Sequence, residues 1–277
     1  MILVTGSTGQ LGTELKKILG DKAIYLDRTK ADFSKPEILR NQIRQYKFDY
    51  LINAAAYTQV DKAESEREIA MTVNATSVGV LAEVCREKKA KLAHVSTDYV
   101  FSGDSSRPYE VNDPTNPVNY YGETKLRGEQ LVQSILPESL VVRTSWVWAQ
   151  EGKNFVNTIL KLGSELSEIR VVDDQLGSPT HAADIAKLLS LGRHLCGTFH
   201  FSNKGVTSWY EFAQEIKKIM NFKASIVPIH TSEYPTAAKR PKFSVMKQSN
   251  ELAAVLDPMF WHEALLYAYK NSAKRVI

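Results

Sequence analysis

Two residues four positions apart, Tyr121 and Lys125, form a pair in this sequence that suits acid–base chemistry. They lie in the run NPVNYYGETK, which is helical in pattern, so both side chains are expected on one helix face. A tyrosine hydroxyl has a pKa of about 10, and an adjacent ammonium group is expected to lower it towards the working range. The same spacing also occurs in solvated surface pairs, so it needs support from other residues.

That support comes from Ser96 and Thr97, whose hydroxyls stand at the end of an apolar strand run in HVSTDYVFSG. Ligands of open α/β sheets bind beyond the carboxyl ends of the strands. Thr97 precedes Tyr121 by 24 residues, which leaves room for a loop and the first turn of a helix. We therefore expect both residues in one crevice, where a hydroxyl can hydrogen-bond a carbonyl group under reduction.

The first fifteen residues, MILVTGSTGQLGTEL, place Gly6, Gly9 and Gly12 between an apolar strand run and a helical pattern. Glycines at this spacing also mark ordinary turns. Between a strand and a helix, however, they let a pyrophosphate approach bare backbone at a helix N-terminus. This context predicts a dinucleotide-binding loop.

The second strand run ends at Asp27, 15 residues beyond Gly12, which requires a short first helix. An acidic side chain here is expected to accept hydrogen bonds from the adenosine ribose of NAD. The neighbouring Arg28 is instead suited to the 2′-phosphate of NADP, and Asp27 is also a common turn residue. NADH and NADPH therefore both remain open.

Short apolar runs alternate with amphipathic segments through the first half of the chain, which is typical of a doubly wound parallel sheet with helices on both faces. We predict a Rossmann-type α/β fold, with an NAD(P)-binding domain over residues 1–149 and a smaller α/β substrate domain over 150–277. One or two segments from about 165–202 are expected to fold back onto the first domain. The predicted strands are 2–4, 23–26, 50–55, 92–95, 140–142, 169–172, 198–201 and 225–229, and the predicted helices are 11–19, 36–46, 64–88, 120–135, 155–162, 183–191 and 208–220.

Composition argues against several classes of partner. The 277 residues carry a net charge of +4 without a long basic cluster, unlike a nucleic-acid-binding surface. No run approaches the about 18 apolar residues of a membrane span, and no leader pattern precedes Ile2, so a cytoplasmic protein is expected. Cys85 and Cys196 lie apart from any histidine at metal-ligand spacing and are expected to be buried, reduced thiols.

Taken together, the glycine loop, the Ser/Thr pair and the Tyr-x-x-x-Lys motif resemble the extended short-chain dehydrogenase/reductases. Within that superfamily, runs over most of the chain are similar to the dTDP-4-dehydrorhamnose reductase family. These runs are GSTGQLG, DFSKPE, INAAAYTQVDKAE, VNATSV, STDYVFSG, PTNPVNYYGETKLRGE, VRTSWVWA, DDQLGSPT and EYPTAAKRP. The resemblance implies an NAD(P)H-dependent reduction of the C4 keto group of dTDP-4-dehydro-β-L-rhamnose to dTDP-β-L-rhamnose.

The resemblance also implies roles for single residues. Thr97, Tyr121 and Lys125 match the family's catalytic triad, in which the tyrosine gives a proton to the alkoxide, the threonine hydrogen-bonds the same oxygen, and the lysine lowers the tyrosine pKa and binds the nicotinamide ribose. The residues that match cofactor contacts are Gly6, Gly9, Gln10, Leu11, Gly12, Asp27, Asp32, Phe33, Ala54, Ala55, Tyr57, Tyr121 and Lys125. Those that match substrate contacts are Thr97, Asp98, Tyr99 and Trp146.

Two other functions stay open at this point. Sugar-nucleotide 4,6-dehydratases and 4-epimerases belong to the same superfamily, but the dehydratases carry an Asp-Glu pair after the threonine, where this chain has Asp98 and Tyr99. The regulatory subunit of methionine adenosyltransferase is similar in fold and motifs, yet it acts by binding a partner. The triad alone does not separate this binding role from catalysis.

Some family members dimerise through a Mg²⁺ site that uses a glutamate of the first helix. Glu14 matches that glutamate, but Asp184 stands where a second glutamate is expected, so no metal is predicted and a homodimer is left open.

The run AAKRPKFSVM departs from the family pattern, with Phe243 for an asparagine and Met246 for a leucine. These two changes weaken the case for polar contacts from that loop.

Overall fold

The computed structural model describes residues 1–270 of the chain. The α-helices are α1 (Gln10–Leu19), α2 (Pro36–Arg44), α3 (Val60–Ala63), α4 (Arg67–Met71), α5 (Ser77–Lys88), α6 (Tyr120–Ile135), α7 (Phe155–Glu165), α8 (Ala182–Leu191), α9 (Trp209–Met220), α10 (Asn250–Val255) and α11 (Trp261–Lys270). The strands are β1 (Ile2–Thr5), β2 (Ala23–Leu26), β3 (Tyr50–Asn53), β4 (Lys91–Thr97), β5 (Leu140–Thr144), β6 (Val147–Trp148), β7 (Glu168–Val172), β8 (Leu176–Gly177), β9 (Thr180–His181), β10 (Gly197–His200), β11 (Thr207–Ser208) and β12 (Ser225–Ile229).

Six parallel strands form the main sheet in the order β2-β1-β3-β4-β5-β10. This confirms the predicted doubly wound parallel sheet. The chain direction across the sheet reverses at β1, so the crevice at the carboxyl ends of β1 and β3 is the expected ligand site. The glycine loop follows β1, Thr97 ends β4, and Tyr121 and Lys125 lie in the first two turns of α6.

The strands bury both faces, because successive residues point to opposite sides of the sheet. Leu3 packs in one core with α2, α5 and the end of α6, whereas its neighbour Val4 packs in a second core with α1 and α8. Continuous apolar strand runs are the sequence signal for such two-sided burial. A sheet covered on both faces is a rigid base for the loops at its carboxyl edge.

The second half of the chain builds a separate core from α7, α9, α11 and a two-stranded parallel sheet of β7 with β12. Strand β10 instead lies at the edge of the main sheet beside β5, and α8 packs against α1. The strand predicted at 169–172 therefore pairs with Ser225–Ile229 and not with the main sheet. The domain division at residue 149 stays a prediction.

The predicted helix over 64–88 forms in three pieces. Between α4 and α5 the residues Thr72–Thr76 adopt a π-helical turn, and π turns often lie at functional sites. The stretch Arg67–Lys88 is long and apolar enough to cross a membrane by length and composition, but 61% of its apolar 18-residue part is buried inside the protein. Its apolar side chains, such as Leu81 and Val84, fill the core beneath the main sheet.

The two cysteines differ from each other. Cys85 is buried in α5, where burial raises the pKa of its thiol to about 12, as expected of an inert core residue. Cys196 is exposed, so its predicted burial is wrong. It sits in the turn before β10, and its apolar neighbours, not the cysteine, enter the core.

A buried histidine at the end of β10 predicts a pH dependence of stability. Burial, with Arg143 nearby, lowers the pKa of His200 to about 4. The unfolded chain binds this proton near pH 6.5, so the stability is present above that pH and is lost as the pH falls towards 4. We expect the wild-type free energy of unfolding to fall by about 3 kcal/mol more than that of His200→Gln between pH 7 and pH 4.

Urea unfolding at several pH values between 4 and 7 measures this difference. Parallel curves for the wild type and His200→Gln would contradict the assignment.

Candidate active site

The glycine loop between β1 and α1 is shaped by backbone contacts. Gly6 has a left-handed φ of +70°, and a Cβ there would lie 2.5 Å from the amide nitrogen of Ala55. A Cβ on Gly12 would lie 2.2 Å from the carbonyl oxygen of Gly6. Helix α1 begins behind Gly9 with no side-chain cap, which leaves the first amide groups of the helix to a ligand.

Two adjoining cavities lie above this loop and share Thr8, Gly9 and the segment 54–56. The first, of about 450 Å³, extends over Gly6 towards Arg28, Phe33 and Tyr57. The second, of about 570 Å³, extends from the loop to the triad, and its lining includes Gln10, Leu11, Thr97, Asp98, Tyr99, Tyr121, Lys125 and Trp146. The structure thus places most of the predicted site residues along one continuous groove.

Three predicted cofactor residues do not line either cavity. Gly12 is buried behind the loop. The Asp27 carboxylate closes its own turn, since Oδ1 accepts hydrogen bonds from the amides of Thr29 and Lys30 and, at 2.6 Å, from the Thr29 hydroxyl. Asp32 likewise accepts from the amide and hydroxyl of Ser34. At this end, Arg28 and Ser34 face the cavity instead.

Thr97 ends β4 with its hydroxyl held in place. Oγ1 donates to Asp98 Oδ1 at 3.0 Å and accepts from the amide of Tyr99 at 3.2 Å. Burial raises the pKa of Asp98 to about 6, and its charge in turn raises the pKa of Tyr121. Asp98 therefore orients the threonine and favours the protonated form of the tyrosine.

Tyr121 differs from the expectation of a lowered pKa. Burial raises the pKa of its hydroxyl, and a hydrogen bond with Thr97 only partly opposes that effect. Lys125 Nζ donates to the carbonyl oxygen of Val95 at 2.7 Å, and burial lowers the pKa of this lysine to about 8. Burial therefore outweighs the effects that lower the tyrosine pKa, and Tyr121 is protonated at neutral pH.

The first turn of α6 fixes the triad against the loop after β4. Asn119 caps the helix by accepting from the amide of Gly122 at 2.8 Å. A Cβ on Gly122 would lie 2.2 Å from the carbonyl oxygen of Tyr99, so only glycine allows this approach. The Tyr99 and Tyr121 rings then meet edge to face at 5.8 Å. The run YYG at residues 120–122 was the sequence signal for this packing, but no role was predicted for Gly122.

Trp146 forms part of the groove wall with an unpredicted partner, Trp209 at the start of α9. Trp146 has a φ of +47°, which is unusual for a residue with a bulky side chain. Its ring stacks on Trp209 at 3.5 Å, and Gly177 leaves the space behind it. Ser208 and Glu211 form a capping box that fixes the start of α9, and this box was the readable sequence signal.

The loop before α10 is tied to the first half of the chain. Arg240 donates to both Asp61 oxygens, at 2.9 and 2.7 Å. Phe243 and Met246 pack with Val100 and Phe101, and the amide of Phe243 donates to the carbonyl oxygen of Gly103. At the two positions that depart from the family pattern, apolar packing and backbone pairing therefore hold this loop.

Glu14 and Asp184 are both engaged by other side chains. Lys17 Nζ lies 2.7 Å from Glu14, and Asn203 donates to Asp184 at 2.7 Å. Within residues 1–270 the structure contains no group of three or more His, Cys, Asp and Glu side chains arranged to hold a metal ion.

Comparison with known proteins places this site in a family. The family model described as the RmlD substrate binding domain matches residues 1–273. The chain belongs to this family. Among its relatives, a dTDP-4-dehydrorhamnose reductase of Burkholderia thailandensis is 42% identical over 273 residues, covering 90% of each chain. The spore coat polysaccharide biosynthesis protein SpsK of Bacillus subtilis is 38% identical over 268 residues, covering 95% of each.

Solved structures agree with the family at the level of the fold. A dTDP-4-dehydrorhamnose reductase of Bacillus anthracis, in complex with NADP, has a TM-score of 0.93 and 36% identity, with 98% of both chains covered. The UDP-glucose 4-epimerase of Thermus thermophilus, at 17% identity and a TM-score of 0.84, shares only the fold. The resemblance drawn from the motifs is confirmed.

Proposed function

We propose that this protein reduces the C4 keto group of dTDP-4-dehydro-β-L-rhamnose to a hydroxyl, giving dTDP-β-L-rhamnose with NADPH or NADH as the reductant. The observation that carries the proposal is the single groove that joins the glycine loop to Thr97, Tyr121 and Lys125. Family membership supports the substrate class, because relatives at about 40% identity are dTDP-4-dehydrorhamnose reductases.

The residues of the groove fit a dinucleotide. The uncapped N-terminus of α1 offers amide donors and partial positive charge to a pyrophosphate, and Gly9 places no side chain between them. Gln10 and Leu11 continue this floor towards the triad, while Phe33, Ala54, Ala55 and Tyr57 line the groove beside it. A bound nicotinamide nucleotide supplies the hydride for the reaction.

The side chains supply the proton and the alignment. Tyr121 gives its hydroxyl proton to the carbonyl oxygen as that oxygen gains negative charge. The hydroxyl is protonated at neutral pH, as an ordinary tyrosine with a pKa of about 10 also is, so the proton that the reduction requires is present. In this structure Thr97 donates its single hydroxyl proton to Asp98 Oδ1; with substrate bound, that hydroxyl turns to donate to the same substrate oxygen and so stabilises the developing charge.

The sugar nucleotide is expected to continue from the triad into the second half of the chain. Trp146 and Tyr99 stand at this end of the groove. A further cavity of about 580 Å³ adjoins Tyr99 and Trp209 and contains two cationic side chains, Arg170 and Arg240. Arg170 is paired with Glu233 and Arg240 with Asp61, so a diphosphate would share these guanidinium groups with the carboxylates. The apolar wall formed by α7 and β7 suits the base of the substrate.

We further propose that NADPH is preferred over NADH. Asp27 uses Oδ1 for three hydrogen bonds within its own turn and does not line the cavity, whereas Arg28 lines the cavity at the adenosine end. A guanidinium group suits the 2′-phosphate that distinguishes NADP. We also propose, from the sequence, that the protein is cytoplasmic, that it can form a homodimer, and that it has no nucleic-acid or membrane partner.

A charge-removing variant tests the NADPH preference. We expect Arg28→Ala to raise KM for NADPH about tenfold or more, because it removes a charged hydrogen-bond partner, and to change KM for NADH less than about twofold. Steady-state kinetics with both cofactors measure this, and Lys30→Ala, two residues further along the turn, is the matched control. An equal rise for both cofactors would contradict the role of Arg28.

The reaction itself is tested by following NADPH and NADH oxidation with a panel of dTDP-4-keto-6-deoxy sugars. We expect oxidation with the dTDP-4-dehydro-β-L-rhamnose substrate and formation of the C4 hydroxyl. Cofactor binding without oxidation of any sugar would favour a binding subunit like that of methionine adenosyltransferase. Turnover of a sugar without net consumption of cofactor would favour a 4-epimerase or dehydratase.

A further inference from the structure

A row of buried polar side chains crosses the main sheet and ends at the triad lysine. Thr5, Asn53 and His94 occupy matching positions on the adjacent strands β1, β3 and β4. Each is at most 1% exposed, and each points to the face on which the end of α6 packs. Lys125, on α6, completes the row with Nζ 3.4 Å from His94 Nε2.

The orientation of the Asn53 amide is set by its neighbours. Oδ1 accepts hydrogen bonds from the Thr5 hydroxyl at 2.8 Å and from the amide of Ala55 at 3.1 Å. A backbone amide only donates, so the oxygen must face it. The Asn53 nitrogen Nδ2 is then the atom that lies 3.0 Å from His94 Nδ1.

This orientation determines where His94 carries its proton. Nδ2 of Asn53 is a donor, so Nδ1 of His94 must accept. Burial lowers the pKa of His94 well below its ordinary value and makes the ring neutral, and any positive charge on Lys125 lowers that pKa further. A neutral ring carries one proton, and here that proton is on Nε2, facing Lys125.

A lysine ammonium has no lone pair with which to accept this hydrogen. In the amine form, Nζ can accept from Nε2–H while donating to the Val95 carbonyl oxygen at 2.7 Å. The row of hydrogen bonds therefore has one consistent direction, from Asn53 to His94 to Lys125, only when the lysine is neutral. An ammonium group would face the Nε2–H dipole in a repulsive arrangement.

We propose that His94 is a positioning residue for the proton of Lys125: its Nε2–H, held in direction by Asn53, opposes the ammonium form, so Nζ releases its proton more readily than an ordinary lysine does. This inference rests on the proposed function for its role in turnover. After Tyr121 gives its proton to the substrate oxygen, the phenolate must regain one proton from solvent. An ammonium that loses its proton readily gives that proton to the phenolate, and the amine that remains takes up one proton from solvent.

The charges around Lys125 agree with this role. Burial lowers the pKa of Lys125 to about 8, although Glu129, one turn along α6, acts to raise it. Both Glu129 oxygens are bound by the buried Arg143 of β5, which limits their effect on the lysine. Asp98 lies by the hydroxyl end of Tyr121 and shifts the tyrosine pKa upwards.

Nuclear magnetic resonance on the full chain with ¹⁵N-labelled histidine tests the proton position directly. We expect His94, identified by the signals missing in His94→Gln, to be the neutral Nε2–H tautomer from pH 5.5 to 8. A ring protonated on Nδ1, or on both nitrogens, would overturn the proposal. This experiment needs no substrate, so it is independent of whether the proposed reaction occurs.

Titration of ¹³Cε-labelled lysine tests the consequence, with Lys125 assigned by its absence in Lys125→Met. We expect a midpoint at least two units below the ordinary value of about 10.4. In Asn53→Asp, a carboxylate oxygen faces His94 Nδ1, so the ring carries its proton on Nδ1 and its Nε2 lone pair faces Lys125 Nζ. We expect this change to raise the Lys125 midpoint by at least one pH unit. His94→Gln keeps the wild-type direction of the row and should keep the midpoint, as should the buried but distant His200→Gln.

A double variant separates polarity from added charge. In Asn53→Asp combined with His94→Leu, the new carboxylate remains but no ring transmits the reversal, so the shift should fall below half of that in Asn53→Asp alone. An equal shift in both, or none in Asn53→Asp, would overturn the proposal. If the variants do not fold, the wild-type tautomer still decides the proposal, because a proton on Nδ1 would overturn it. Absent keto-sugar reduction would count only against the proposed function.

Discussion

Tyr121→Phe is expected to lower kcat for keto-sugar reduction about 10²–10⁴-fold, the usual contribution of a general acid. The substitution keeps the ring that meets Tyr99 edge to face at 5.8 Å and removes only the hydroxyl. Because that hydroxyl is buried and protonated at neutral pH, its loss removes the proton source and leaves the groove intact. Single-turnover oxidation of NADPH measures the effect on the chemical step.

Binding and folding serve as the controls for this variant. NADPH affinity and the urea midpoint of Tyr121→Phe should match the wild type, and Tyr120→Phe, on the preceding residue outside the triad, should retain the wild-type kcat. A fully active Tyr121→Phe would remove the tyrosine from the mechanism.

Gly12→Ala is expected to cost about 3 kcal/mol or more in unfolding free energy and to weaken NADPH binding at least tenfold. The added Cβ would lie 2.2 Å from the Gly6 carbonyl oxygen and 2.6 Å from Ser7 Cα, which are backbone atoms of the loop itself. The loop must therefore shift, and with it the amide groups at the start of α1. Denaturant unfolding and cofactor titration measure the two effects.

Gly9→Ala is the matched comparison for stability, because its Cβ would meet only the Gly6 oxygen at 3.4 Å and its backbone is extended. We expect a change of less than about 1 kcal/mol in unfolding free energy. Equal losses for the two alanine variants would show that packing at Gly12 is not what holds the loop.

The main sheet was predictable because its signals are local. Apolar runs such as 50–55 and 140–142 have neighbours along the chain that pair beside them, and parallel crossovers follow a few rules. The small sheet of β7 with β12 has no such signal, since its strands are separated by more than fifty residues. The π turn at 72–76 and the exposure of Cys196 likewise depend on tertiary packing.

The site was predictable in its membership but not in its electrostatics. The motifs identified Thr97, Tyr121 and Lys125, and the structure brings all three to one cavity. The upward shift of the Tyr121 pKa was not predicted. Four-residue spacing on a helix indicates that Tyr121 and Lys125 lie close together, but burial has the larger effect on the energy of the charged tyrosine. Asp27 was assigned from its place after β2, but its carboxylate is used within its own turn.

The residues that the sequence did not predict act by positioning other side chains. Trp209 fixes Trp146 from a helix more than sixty residues away, and Arg240 holds Asp61 across the two halves of the chain. His94 had a readable signal, since it, Thr5 and Asn53 are the polar residues near the ends of three apolar strand runs. Their register, which aligns them into one row, becomes visible only in the folded sheet.

Deuterium transfer tests the central claim most directly. Wild-type protein is incubated with NADPH dideuterated at C4 of the nicotinamide and with dTDP-4-dehydro-β-L-rhamnose, and the sugar product is examined by mass spectrometry and nuclear magnetic resonance. The account predicts one deuterium at C4 of the sugar for each NADPH oxidised. A product without deuterium, or with deuterium at another sugar carbon, would contradict it.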